Sequence, residues 1–183
     1  MRIVTWNVNG IRAAIRKGID SFFEKIKADV WMLQEVRCLP EQLPKDWHIP
    51  EGYQMILHPA EKKGYSGVAT ISKTDMVEEG RGMQGKLDIN DSEGRVLVTR
   101  HEDVILVNTY LPSGSSKEER QQYKETWMAQ WRDFIRPLLD SDQTVIVAGD
   151  LNIAHTENDI WNPKGNAKSV SYTHLTLPTK RIV

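Results

Sequence analysis

The sequence predicts an α/β domain in which mixed β-sheets are covered by helices. Two observations carry that expectation. Runs rich in Val, Ile and Leu recur along the chain, and several are continuous rather than alternating, as strands buried on both faces require. Between some of these runs lie stretches whose apolar residues repeat at helical spacing, so strands alternate with helices.

The first strand is expected in RIVTWNV (residues 2–8). After Gly18, Ile19, Phe22, Phe23 and Ile26 fall at helical spacing and predict a short helix. DVWMLQE (29–35), YQMILH (53–58) and GVATISK (67–73) read as the next strands. RVLVTR (95–100) and DVILVNTYL (103–111) lie so close together that His101 and Glu102 between them read as a hairpin turn. A longer helix is expected within residues 115–140, where Ser116 and Glu119 form a capping box. Tyr123, Trp127, Trp131, Phe134 and Leu138 trace one face of it and are read as core, while Pro137 is expected to kink or end it. TVIVAGD (144–150) is the last strand.

A chain of 183 residues suits one domain with a substantial core, and no internal repeat or linker divides it. Its 24 basic and 25 acidic residues create no global basic field, so a nucleic-acid partner would need a local patch or a metal. The lone Cys38 forms no internal disulfide and no zinc-type cysteine spacing is present, which favours a reducing compartment. The opening MRIVTWNVNG breaks its apolar run too early for a signal peptide, and no run approaches a membrane span. A cytoplasmic monomer without membrane contact is therefore expected.

Polar residues recur where apolar runs stop. Asn7 and Asn9 follow the first run, Gln34 and Glu35 the second, Asn108 and Tyr110 lie near the end of another, and Asp150 and Asn152 end the last. Each could be an ordinary turn residue, since Asp and Asn bond their own backbone and tolerate unusual dihedrals. If the sheets gather those ends, as open α/β architectures do, the oxygens converge in one cleft. Asn7, Glu35, Asp150 and Asn152 are hard oxygen donors without a thiolate, a set that suits Mg²⁺ or Mn²⁺ rather than zinc.

Five segments, TWNVNGIRAA, LQEVR, AEKKGYSGVA, NTYLPSG and GDLNIAHTENDIWNPKGNAKS, together resemble the exonuclease III and abasic-site endonuclease family, within the larger group of endonuclease/exonuclease/phosphatase enzymes. The match runs in order from residue 1 to about 170. The resemblance implies a DNase I-like four-layer sandwich, with two mixed β-sheets flanked by helices and a metal-dependent phosphodiesterase site at one edge. By the same resemblance Glu35 matches a metal-binding glutamate and Asn7 an asparagine beside the metal. Tyr110 matches a phenol set against the scissile phosphate, Asp150 the acid that orients or deprotonates the attacking water, and Asn152 the amide that stabilises the transition state. Catalytic candidates are thus Tyr110, Asp150 and Asn152. His155 has no counterpart among the family's catalytic groups and is read as a loop residue.

Basic residues in the loops supply the patch that net charge conceals. Arg12, Lys63, Tyr65, Lys164 and Lys168 are the candidate DNA-binding residues, with Arg16, Lys17 and Lys62 beside them. Contacts to phosphates would position a duplex without reading its sequence. The implied partner is double-stranded DNA carrying abasic sites or blocked 3′ ends.

The resemblance also has a limit. Family chains continue into an Arg-x-Asp-Tyr motif and a terminal Ser-Asp-His motif that this sequence lacks, and His174 is not preceded by Ser-Asp. At Ser171 the likeness stops, and SYTHLTLPTKRIV (171–183) resembles a translated sequencing adapter. The expectation is a truncated enzyme domain at 1–170 followed by an artefactual tail, with the last strands of the second sheet missing and activity impaired. Two other readings stay open: a phosphatase or phosphodiesterase of the same group acting on small phosphoesters, and a noncatalytic DNA-binding fragment.

Overall fold

In the computed structural model, residues 1–83, 91–114, 118–153 and 157–159 are described. The chain begins with β1 (Ile3–Asn7), α1 (Ile11–Arg16), α2 (Ile19–Ile26) and β2 (Val30–Gln34). It continues through β3 (Gln54–His58), β4 (Val68–Ser72), β5 (Val77–Arg81), β6 (Val96–His101) and β7 (Val104–Tyr110). A long helix, α3 (Glu118–Leu139), leads to β8 (Thr144–Asp150), and short 3₁₀ turns occur at Pro40–Gln42 and Glu157–Asp159.

The strands form two sheets, ordered β1-β2-β4-β3 and β5-β6-β7-β8. Each mixes one parallel pair with antiparallel ones. In the first, β1 runs parallel to β2; in the second, β7 runs parallel to β8. Both parallel pairs are joined through helix, as a parallel crossover demands.

Side-chain alternation explains the continuous apolar runs. In β2, Trp31 and Leu33 pack with Ile11, Ile19 and Phe23 of the first two helices, whereas Val30 and Met32 face Leu106 of the other sheet. β6 and β7 likewise send Val96, Val98, Ile105 and Val107 against Trp127, Trp131 and Ile135 of α3. The result is the expected four-layer order of helix, sheet, sheet, helix.

Five details depart from the sequence reading. Residues 11–16 form α1, although nothing in their short apolar pattern marked a helix. β5 was also missed, because its VEEGR is polar, mostly exposed, and bulged where its pairing with β6 shifts between Glu78 and Gly80. Tyr123 lies 37% exposed at the entry of α3 rather than in the core, and Phe22 is 47% exposed, resting on Trp6. Helix α3 also runs past Pro137 to Leu139. Pro137 is exposed in the final turn, where the carbonyl that its missing N–H leaves free can meet water. The proposed cap Ser116 lies outside the described residues.

Candidate active site

The C-terminal ends of both parallel pairs meet at one place. Asn7 is the register partner of Gln34, one residue before Glu35, and Tyr110 is the register partner of Asp150. Crossover connections send these strands in the same direction, so their polar ends emerge together.

Tight backbone geometry holds those ends. Glu35, Arg37 and Asn152 adopt left-handed φ values of 53°, 48° and 47°, conformations sparsely populated by non-glycine residues and concentrated at functional sites. The turn after β2 is pinned on two sides: Gly10 N donates to Glu35 O at 2.7 Å, while Arg37 N donates to Ser66 O at 2.8 Å. The KKGYSG loop therefore backs the Glu35 turn directly. Gly67 permits this approach, since a Cβ there would meet Val36 at 2.8 Å. Gly149 does the same for β8: at φ 150°, an added Cβ would lie 1.8 Å from the Thr109 carbonyl oxygen.

Four predicted side chains form two hydrogen bonds that cross between the sheets. Tyr110 Oη donates to Glu35 Oε1, and Asn7 Nδ2 donates to Asp150 Oδ2 at 2.8 Å. The Asn7 amide also helps to lower the Glu35 carboxyl. Asn152 closes the edge, its backbone N donating to Asp150 Oδ1 at 3.1 Å and its Nδ2 to Leu111 O at 2.8 Å. Asn9, by contrast, only bonds back to Asn7 through its backbone N. Gln34 and Asn108 bond each other in the buried layer between the sheets and serve the core rather than the cleft.

The electrostatics follow from these contacts. Burial pushes the Glu35 carboxyl upward, but hydrogen bonds from Tyr110 and Asn7 together with the Arg37 guanidinium outweigh it, so the group lies below its ordinary value. Burial, reinforced by the neighbouring Glu35 carboxylate, raises the Tyr110 phenol well above its usual value. The phenol is thus a proton-bearing donor throughout the neutral range.

Sequence reasoning missed several residues around this group. Arg37 Nη2 lies 2.6 Å from Glu35 Oε2. Buried Lys124 of α3 sends Nζ to Asn152 O at 2.7 Å, and burial lowers its ammonium although Asp150 partly offsets that. Arg95, 2% exposed, carries its guanidinium over the Tyr110 ring at 4.6 Å from the centroid. A lysine amid helix polar positions gives no signal of its own; an arginine immediately before the apolar run VLV was the one available clue.

The candidate DNA-binding residues fall less completely into place. Arg12 is half-buried in α1, just after the Gly10–Glu35 contact, and Lys63 is exposed. Tyr65 lies in the loop that backs the Glu35 turn, with Lys62 Nζ 5.4 Å from its ring centroid. Lys164 and Lys168 lie outside the described residues, as do His155, His174 and the tail at 171–183.

The donor set fits a hard divalent cation. Glu35 and Asp150 supply carboxylate oxygens, and the residues bonded to them, Tyr110, Asn7 and Asn152, carry no thiolate or imidazole. Among the described residues no group of three or more His, Cys, Asp or Glu could hold a metal ion. Mg²⁺ ordinarily uses one or two carboxylates and keeps waters and substrate oxygens.

Comparison with known proteins agrees with this geometry. Residues 4–180 match the Endonuclease/Exonuclease/phosphatase family. The chain is 37% identical to the DNA repair nuclease APEX1 of Danio rerio over 94% of its own length and 56% of that protein's. It is 35% identical to an exodeoxyribonuclease of Bacillus subtilis, covering 94% of this chain and 67% of that one. An abasic-site endonuclease structure from Leishmania major superposes with a TM-score of 0.74 at 28% identity, over 87% of this chain and 57% of that one. A Neisseria 3′-phosphatase solved with a product DNA hairpin shares the fold, with a TM-score of 0.79 at 23% identity over 93% of this chain and 65% of that one. The chain thus spans little more than half the length of several relatives it matches. With the family match and the sequence relatives in agreement, the chain belongs to the Endonuclease/Exonuclease/phosphatase family, on the branch of exodeoxyribonucleases and abasic-site endonucleases.

Proposed function

We propose that this chain carries the phosphodiesterase site of a Mg²⁺-dependent DNA-repair hydrolase of the exodeoxyribonuclease III type. Its substrates would be duplexes with abasic sites or blocked 3′ ends, cut by incision, 3′→5′ exonuclease and 3′-phosphatase reactions. The observation that carries the reading is a pair of hydrogen bonds that each join the two sheets at their strand ends, Tyr110 to Glu35 and Asn7 to Asp150. A reducing cytoplasm suits the single buried Cys38, and the reading has the protein act there as a monomer.

The residues divide the work by their chemistry. Glu35 and Asp150, with the amide oxygens of Asn7 and Asn152, would hold the metal. When bound, Mg²⁺ neutralises phosphate charge and stabilises the leaving 3′-oxygen. Asp150 accepts the proton of the attacking water, and the Asn7 amide on its Oδ2 fixes the carboxylate plane. Tyr110 keeps its proton at neutral pH, and its hydroxyl, which donates to Glu35 without substrate, would turn that proton toward the charge that develops on the phosphate oxygens. Asn152, held by Leu111 O and Lys124, presents its amide on the other side of the same strand end. Arg12, Lys63, Tyr65, Lys164 and Lys168 would position the phosphate backbone without reading bases.

Cleavage of a duplex bearing one abasic-site analogue, with Mg²⁺ and with chelator, tests the reading. Metal-dependent incision supports it. Hydrolysis of small phosphoesters without incision would replace it with a phosphatase of the same family, and metal-independent duplex binding without cleavage would make the chain a binding fragment.

A further inference from the structure

Beside Tyr110 lies a charged network centred on buried Arg95, a residue to which the roles above assign nothing. Arg95 spends its guanidinium in three directions: Nε to Glu93 Oε2 at 2.6 Å, Nη1 to the Tyr110 carbonyl at 3.0 Å, and Nη2 to Tyr65 Oη at 3.3 Å. Its plane also rests on the Tyr110 ring, and its backbone carbonyl accepts from Tyr110 N at 2.8 Å. Tyr110 is therefore held at its backbone and its ring by one residue, while its hydroxyl reaches Glu35.

The network extends outward. Arg120 of α3 donates from Nη2 to Tyr65 Oη at 2.8 Å and from Nη1 to Glu93 Oε1 at 3.2 Å. Tyr123 Oη donates to Glu93 Oε2 at 3.1 Å. Arg95 is the buried member of this cluster, and the two partly exposed groups beside it, Glu93 and Arg120, complete a pair of guanidiniums on one carboxylate. A planar five-donor fork can serve the carboxylate, the carbonyl and the phenol oxygen together, which a lysine cannot.

We infer that Arg95 is the positioning residue of Tyr110: it fixes the ring against the Glu35 turn and ties it to the Tyr65 loop. The inference rests on the proposed phosphodiesterase reading for its catalytic consequence, but its structural content does not. Packing alone would not need a buried guanidinium here, because a methionine of similar length could fill the volume. A fork that contacts Tyr110 at two points and Tyr65 at a third instead restricts where the hydroxyl can lie. Displacement of a catalytic group by about 1 Å can cost about 10²-fold in rate.

The test uses the chain with selectively ¹³C-labelled tyrosine rings, in chelator, so that no activity is needed. The Tyr110 ring signal is assigned by its loss in Tyr110→Phe. In Arg95→Lys, and in the charge-balanced pair Arg95→Met with Glu93→Gln, that signal is expected to shift and broaden as the ring gains freedom. Arg100→Met, on the same strand and with an exposed side chain, serves as the control that leaves it unchanged. Incision assays on the abasic-site duplex then separate kcat from KM. Arg95→Lys is expected to lower kcat about 10²-fold with KM for DNA nearly unchanged. Added to Tyr110→Phe, it is expected to cost almost nothing further, since the group it positions is already gone.

An unchanged Tyr110 signal in folded Arg95 variants overturns the inference, as does a kcat loss that simply adds to that of Tyr110→Phe. If the parent chain shows no incision at all, the functional reading fails, and the ring signals still decide whether Arg95 positions Tyr110.

Discussion

Asn7 and Asp150 stand 143 positions apart in sequence, yet the amide of one donates to the carboxylate of the other at 2.8 Å. The contact joins the last residue of β1 in one sheet to the last residue of β8 in the other, so the site exists only where the two sheets face each other. Asp150 is thereby oriented by a neutral donor. Asp150→Asn keeps the shape and removes the basicity. Its incision rate on the abasic-site duplex is expected to fall by about 10²–10⁴-fold with KM little altered. A variant within threefold of the parent would remove Asp150 from proton transfer.

Gly149 determines whether β8 can reach that position at all. With an added Cβ 1.8 Å from Thr109 O, Gly149→Ala must separate β7 from β8 or distort the turn into Asp150. The loss of stability is expected to exceed the ~1–3 kcal/mol of ordinary overpacking, read from a shift in the urea midpoint. Unchanged urea unfolding would mean that the strand end is more pliable than this packing implies.

The Glu93 network makes stability sensitive to acid. Burial would raise the Glu93 carboxyl, but Arg95 and Arg120 overcome it and hold it at about 2, against 4.5 for the free group. A depressed folded value contributes stability that is complete above the unfolded value and fades as pH falls toward the folded one. The stability gap between the parent chain and Glu93→Gln is therefore expected to be widest above about pH 4.5 and to close toward pH 2. Denaturant melts across that range check it, and a gap independent of pH would rule out the ion pairs as its source.

Trp127 anchors the opposite layer. It is 2% exposed and packs with Val96, Val98, Val107 and Trp131 under α3. Trp127→Ala is expected to cost about 3–5 kcal/mol by chemical denaturation. A cost below 1 kcal/mol would show that α3 repacks over the gap.

Most of the architecture was legible because it rests on local pattern. Continuous apolar runs marked seven of the eight strands among the described residues, since strands with both faces covered have no polar alternation to show. The exception, β5, carries Val77, Glu78 and Glu79 on a mostly exposed edge, where hydrophobicity has no reason to appear. Pro137 misled for a related reason: the rule against proline concerns helix interiors, and this residue occupies an exposed final turn.

The site divides along the same line. By itself the sequence determined which residue types end the strands, and Asn7, Glu35, Tyr110, Asp150 and Asn152 were readable there because acids, amides and phenols stand out where apolar runs stop. The tertiary structure alone decided which of them meet. It separated Gln34 and Asn108, buried between the sheets, from the group at the edge, and it recruited Arg37 and Lys124, whose positions in the chain carry no mark of that role, and Arg95, marked only by its place before an apolar run. Hydrophobic pattern is a property of neighbours along the chain, whereas a buried cation is specified by the charges and carbonyls that folding brings to it.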